Sequence, residues 1–340
     1  MILHGRLIEQ VIDRGERATF RKEIVVASGR VPLAMVRKRA VGPFGGSKGP
    51  VLLVHGFGQN RYAWHLPSRS PANHLARAGF DVFNLDLRGH GRSRHLGARM
   101  AKGVSEYIRE DLPIAIEEVQ RQVGKKPVFL VGHSLGGLVC YAAAPQLNGA
   151  IAGVASIGSP YHFTRGSWSL GAVSVFFRAL SLAPISVNLP IFMKPLGRIM
   201  RSARVVAESR FYPIPLRGWH AGALEPQVFE EHLRLAFDRG SIAEMANLFS
   251  WAAERRFGGA DSDYVEQFER MDVPLLVVAG ANDDLAPPAS VRPAYARSAS
   301  TDKTYRAVPL GHIDLLVGRE APKLTWNVVE SWLSARATAA

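Results

Sequence analysis

The stretch Gly132-His133-Ser134-Leu135-Gly136, followed by Gly137, sets a serine between two glycines, each two residues away. The apolar run Val128–Val131 precedes it and a helical pattern follows. A chain that turns this sharply from strand to helix needs glycines where its segments pack closely. It leaves Ser134 on a strained backbone at the start of the helix. There the N–H of Leu135 is free, and the helix dipole favours a developing oxyanion. The chemistry this permits is covalent catalysis, for which a serine hydroxyl needs a base to take its proton.

Eleven histidines compete for that role. His312, in Leu310-Gly311-His312, follows the last predicted strand and precedes the last helix. It therefore sits on a loop at the same carboxyl edge of the sheet as Ser134. His133 adjoins the serine, but the turn sends its side chain elsewhere; His55 and His90 lie in loops after earlier strands and help shape the site. The base in turn needs a carboxylate to hold its tautomer and steady the imidazolium. Asp283 and Asp284, in Gly280-Ala281-Asn282-Asp283-Asp284, follow another predicted strand, and two adjacent residues cannot both point at His312. A second oxyanion donor is expected from the loop after an early strand, His55-Gly56-Phe57-Gly58, with the N–H of Phe57 as the choice.

Short apolar runs alternating with helical patterns must position these groups. Ile24–Ser28 and Leu33–Arg37 are expected to pair as a hairpin around Gly29-Arg30. Val51–Val54, Asp81–Leu85, Val128–Val131, Ile151–Ile157, Leu275–Ala279 and Thr304–Val308 read as strands, several of them buried on both faces. Helical patterns cover Pro71–Ala78, Ser105–Val123, Ser134–Ala144 (stopped by Pro145) and about 321–335. Such alternation implies a mostly parallel sheet with helices on both faces. The rhythm breaks between Gly158 and about Glu269, where helical patterns such as Val173–Leu182 and the aromatics Trp168, Phe176, Phe177, Trp219 and Trp251 replace strands. The expected division is a core over residues 1–158, an inserted helical cap over 159–269 and the rest of the core over 270–340.

The chain has 340 residues, 47% apolar and 21% charged, ample for a large core. Its single cysteine, Cys140, excludes a disulfide framework and a cysteine zinc cluster. It falls in the helix after Ser134 and reads as a small core residue. The amino terminus lacks the apolar stretch of an export signal, so cytoplasmic residence is the expectation. The stretch nearest to a membrane span, Trp168 to Met193, is interrupted by Arg178, Pro184 and Pro190. The net charge is +13, yet 33 of the 42 basic residues are arginines scattered along the chain. No basic run interleaves with aromatics, which argues against nucleic-acid binding. His312-x-Asp314 lacks the third ligand of a catalytic zinc site, and Asp314 is expected to cap the last helix or support the loop. Gly42-Pro43-Phe44-Gly45-Gly46 has no lysine and no following helix, so it is no phosphate loop. No metal and no cofactor is called for.

Taken together, Val54-His55-Gly56-Phe57, Asp86-Leu87-Arg88-Gly89-His90-Gly91-Arg92-Ser93, Gly132–Gly137, Gly280–Pro287 and Gly311-His312 resemble the α/β-hydrolase superfamily. They occur in its order, serine, acid, histidine, over roughly residues 50–320. The resemblance implies an eight-stranded, mostly parallel α/β-hydrolase sheet with a cap, and its G-x-x-D pattern lands on Asp283, with Asp284 as the fallback. Glu110–Ile116 and His312–Gly318 are similar to the acid lipase and esterase branch. That likeness implies an ester with a long or bulky apolar part as the small-molecule substrate. Polyhydroxyalkanoate synthases are also similar but place cysteine at the nucleophile, and dehalogenases and epoxide hydrolases place aspartate there. The expected function is ester hydrolysis through Ser134, His312 and Asp283, with Phe57 and Leu135 as oxyanion donors. The rivals are acyl transfer on the same triad and ligand binding on a hydrolase scaffold. A basic surface would suit peripheral contact with an anionic membrane. Oligomeric state is not readable from these residues.

Overall fold

The computed structural model describes residues 1–42, 45–147, 149–167, 170–171, 174, 190–202, 204–207, 217–254, 256–259 and 262–337. Nine strands form one mixed sheet: β1 (Ile2–Asp13), β2 (Glu16–Ser28), β3 (Pro32–Ala40), β4 (Pro50–Val54), β5 (Asp81–Asp86), β6 (Val128–His133), β7 (Ile151–Ile157), β10 (Leu275–Gly280) and β11 (Lys303–Val308). Their order across the sheet is β1-β2-β3-β5-β4-β6-β7-β10-β11. A separate ribbon pairs β8 (Pro190–Phe192) with β9 (Arg239–Ser241). From β5 to β11 the pairing is parallel, and β1, β2 and β3 join it antiparallel.

The expected α/β sheet is present, with one strand more than the eight anticipated. The extra strand is β1, an edge strand whose first six residues are exposed. It turns into β2 at Arg14 and Gly15, with φ of 46° and 85°, which suits a tight hairpin. Its polar alternation carries no buried-strand signal, and arginine is not a residue that announces such a turn. The central strands are apolar on both faces because helices cover both: β4 is buried at all five positions and β10 at all six. Tyr107, Leu112, Ile116 and Leu138 pack with Leu52, Val54 and Leu130 on one side. Trp64, Leu75, Trp326, Val329 and Trp332 pack with Val51, Leu53 and Val131 on the other.

β4 lies between β5 and β6; the connection leaving β4 leads to β5 on one side and that leaving β6 to β7 on the other, so the two diverge. A sheet of this kind opens a crevice at the carboxyl ends of its strands where that happens. The loop after β4 carries Phe57, and the turn after β6 carries Ser134.

Between β7 and β10 the regular elements of the described residues are helical apart from β8 and β9. They include the helices Met193–Ser202, Pro226–Glu231 and Ile242–Ala253. Trp168, Phe176, Phe177, Arg178 and Pro184 lie outside the described residues, as does Val173–Leu182 apart from Ser174. Pro43 and Phe44 are outside them too. Among the described residues no helix is long and apolar enough to cross a membrane.

Candidate active site

Ser134 joins β6 to the helix Leu135–Ala143 with φ 55° and ψ −124°, a region costly for a residue with a side chain. The surroundings over-determine it. A Cβ on Gly132 would lie 2.4 Å from the Gly137 nitrogen, and one on Gly136 would lie 2.3 Å from the Val54 oxygen. The glycines of the motif are thus required by the approach of the helix to β4 and to the turn itself. The N–H of Ser134 donates to Ile157 O at 3.0 Å, tying the turn to the end of β7.

The next residue of β7's exit, Gly158, faces the other half of the constellation. A Cβ there would lie 3.2 Å from Asp283 Oδ2 and 3.4 Å from His312 Nδ1. His312 Nδ1 and Asp283 Oδ2 are 2.7 Å apart, and both side chains are buried. The second carboxylate oxygen, Oδ1, accepts the N–H groups of Leu285 at 2.9 Å and Ala286 at 2.8 Å. All of Asp283 is therefore committed to holding one ring in place, while Asp284 is exposed. Of the two adjacent acids left open by the sequence, the structure brings Asp283 to His312.

The other histidines have jobs that spacing alone did not reveal. His133 Nε2 lies 3.0 Å from His312 O, and the two rings are 4.6 Å apart. Its side chain is thus turned toward the loop of His312, and burial holds its pKa well below the ordinary value, so it is neutral there. His55 Nε2 accepts from Leu87 N at 3.2 Å, and its Nδ1 donates to Gly56 O at 3.0 Å. It therefore pins the peptide that precedes Phe57. A Cβ on Gly56 would lie 3.0 Å from Ser134 Cβ, so this loop lies directly against the serine. Neither the N–H of Phe57 nor that of Leu135 has an acceptor among the described residues. Two unpaired donors flanking a serine are what a developing oxyanion requires.

Asp314, three residues after Gly311, accepts from His220 N at 2.8 Å and Gly311 N at 3.2 Å. It supports the loop, and burial raises its pKa to about 6. No group of three potential metal ligands occurs among the described residues. Cys140 is fully buried, and burial pushes its thiol up, away from reactivity.

Two motif segments prove to be one structure. Arg88 is fully buried; its Nε donates to Asp111 Oδ1 at 2.7 Å and its Nη2 to Glu110 Oε2 at 2.7 Å. Asp111 Oδ2 also accepts the Arg88 N–H at 2.8 Å. The loop after β5 is thereby fastened to the helical segment before β6.

Sequence reading missed the residues that tie the segment between β7 and β10 to this loop. Asp238 accepts Gly91 N at 2.7 Å and pairs with Arg94. Glu244 accepts from Tyr107 Oη at 2.6 Å, and Tyr107 Oη lies 3.1 Å from His90 Nε2. Burial raises Glu244 to about 7 and lowers His90 to about 3. No local signal marks such acids, since each looks like an ordinary helix or loop residue.

Residues 49–319 match the family model described as alpha/beta hydrolase fold. The chain belongs to the α/β-hydrolase family. It is 26% identical over 288 residues to a monoacylglycerol lipase of Mycolicibacterium smegmatis, covering 84% of this chain and 88% of that one. The structure of the Paleococcus ferrophilus monoacylglycerol lipase superposes with a TM-score of 0.60 at 22% identity, over 85% of this chain and 95% of that one. A soluble variant of the Saccharomyces cerevisiae monoglyceride lipase gives 0.59 at 18% identity, over 93% and 96%. Within this α/β-hydrolase family, the likeness to lipases and esterases read from the motifs is borne out.

Proposed function

We propose that the protein is a carboxylic ester hydrolase that works through a Ser134-His312-Asp283 triad and an acyl-enzyme. The observation that carries this reading is the buried His312–Asp283 pair facing the exit of β7, to which the strained Ser134 is hydrogen-bonded. The monoacylglycerol named by the relatives is an ester with an apolar acyl part, the class that the motifs imply.

In this mechanism Ser134 Oγ attacks the acyl carbonyl while His312 Nε2 takes its proton. Asp283 holds Nδ1–H, keeping Nε2 free as acceptor and stabilising the imidazolium. The N–H groups of Phe57 and Leu135 hold the oxyanion. His312 then protonates the departing alcohol. Water, activated by the same histidine, adds to the acyl-enzyme and releases the acid.

The described residues between 159 and 269 act as a cap that roofs the crevice, tied down through Asp238 and Glu244. On its helix Met193–Ser202, Leu196 and Ile199 are exposed alongside Lys194 and Arg198. Apolar and cationic side chains interleaved in this way suit the surface of an anionic membrane. Co-sedimentation with anionic but not zwitterionic vesicles tests that contact.

The test of the reaction is hydrolysis of p-nitrophenyl esters of increasing acyl length by the wild type and Ser134→Ala. Activity abolished in the variant, together with fluorophosphonate labelling of Ser134 in the wild type, supports the assignment. Equal rates in the two proteins overturn it.

A further inference from the structure

A cavity of about 510 Å³ opens between core and insert, lined in part by Leu138. Leu138 stands one helical turn, about 6 Å of rise, beyond Ser134 on the same helix. Its volume falls within the range of sites for small organic ligands. Its floor is apolar, built from Leu138, Tyr161, Phe163, Trp251 and Phe257, with Tyr161 and Phe257 stacked at 4.9 Å.

The rest of the lining is His162, Thr164, Ala252 and three arginines. Arg165, Arg256 and Arg297 line it with His162, and Arg165 and Arg297 are exposed. Arg165 pairs with no carboxylate among the described residues. Arg297 gives only Nη1, to Glu269 at 2.5 Å, so Nε and Nη2 remain without an acceptor among those residues. Arg256 is more heavily engaged, with Glu266, Ser262 O and Gly259 O. Tyr161 adds a hydroxyl that is buried and has no hydrogen-bond partner among the described residues. Buried polar atoms are ordinarily paired, so this one marks a place for an acceptor.

An aromatic floor receives a chain or ring. Arginine forks receive planar, multiply accepting anions. We propose that this cavity is the distal half of the substrate site, and that the preferred ester carries a carboxylate or phosphate at the far end of an apolar chain or ring. The proposal rests on the serine-hydrolase reading above and deepens it by naming the substrate class. His162 supplies a reporter: burial, then Arg297 and Arg165, lower its pKa in the empty cavity. An anion seated among these groups reverses the electrostatic part of that shift.

Two measurements on the intact protein test it. The first compares p-nitrophenyl dodecanoate with the p-nitrophenyl half-ester of dodecanedioic acid and its ω-phosphate analogue. The expected kcat/KM ratio is at least about tenfold in favour of an anionic ester, falling to about one in Arg165→Gln/Arg297→Gln. The second follows tryptophan fluorescence and the His162 imidazole resonance on titration with dodecanoate, dodecyl phosphate and dodecanol. Tighter binding of either anion than of the alcohol, with His162 titrating at higher pH, supports the site, and the tighter anion identifies the headgroup. Equal binding of alcohol and anions, or an ester preference that survives in the double variant, overturns it. Anion-selective binding without hydrolysis of any ester would refute the triad and leave the cavity assigned. Hydrolysis without anion preference would do the reverse.

Discussion

Replacing Asp283 by asparagine is the most incisive perturbation of the site. The side chain keeps its volume, and its retained oxygen can still accept the Leu285 and Ala286 N–H groups, which the aspartate holds at 2.9 and 2.8 Å. The other position becomes NH₂, facing His312 Nδ1 at the present 2.7 Å. Two donors cannot share that contact. The ring must move its proton to Nε2, the atom that the proposed mechanism uses to accept the Ser134 proton, and there it can no longer accept. Loss of the correct tautomer in the Ser-His-Asp template costs about 10⁴ in kcat, equivalent to about 5 kcal/mol of transition-state stabilisation. KM is expected to change little, because neither carboxylate oxygen meets the substrate. The assay is steady-state hydrolysis of a p-nitrophenyl ester, with thermal unfolding to show that the variant is folded. Asp284→Asn is the internal control; its exposed side chain predicts activity within about twofold of wild type. The reasoning is refuted if Asp283→Asn keeps a tenth of the wild-type kcat, or if Asp284→Asn loses as much.

Other perturbations probe the scaffold. Gly136→Ala places a methyl 2.3 Å from Val54 O, which is backbone and cannot step aside, so a loss of about 1–3 kcal/mol or more is expected in urea unfolding. Arg88→Ala removes the partner of the fully buried Asp111, whose pKa burial already raises to about 6. Breaking a buried pair costs about 3–5 kcal/mol, and an unchanged urea midpoint would contradict the structural role of the pair. Glu244, raised from 4.5 to about 7, keeps its proton longer in the folded chain than in the unfolded one. Its contribution is therefore fully present below about pH 4.5 and is lost as pH rises to about 7, a fall on the order of 3 kcal/mol at most. Glu244→Gln is expected to flatten that part of the stability–pH curve, and a curve of unchanged slope would remove Glu244 from the account.

Much of this was legible residue by residue, because some physical demands are local. A strand-to-helix turn around a nucleophile admits only glycine at Gly132 and Gly136, so the demand is written into the sequence. Strands buried on both faces must be apolar at consecutive positions, and β4, β6 and β10 announce themselves that way. The rank order of serine, acid and histidine follows from which strand each residue ends.

Other features depend on where distant side chains meet. Asp283 and Asp284 are equivalent by composition and nearly so by position. The backbone turn that buries one carboxylate against Leu285, Ala286 and His312 distinguishes them. Edge strand β1 is polar because one face meets water, so it lacks the signature of its neighbours. The His90–Tyr107–Glu244 chain joins residues from three separate segments, and burial gives its acid a titration that no sequence neighbour could impose. The sequence alone thus determined the strand-to-helix turn that carries Ser134, the loop placement of His312 and the sheet beneath them, through steric and solvation rules acting over a few residues. Only the tertiary structure decided which acid meets His312, how the residues between β7 and β10 are fastened to the loop after β5, and what lines the cavity beside Leu138. Those outcomes depend on desolvation and charge contacts between parts of the chain far apart in order.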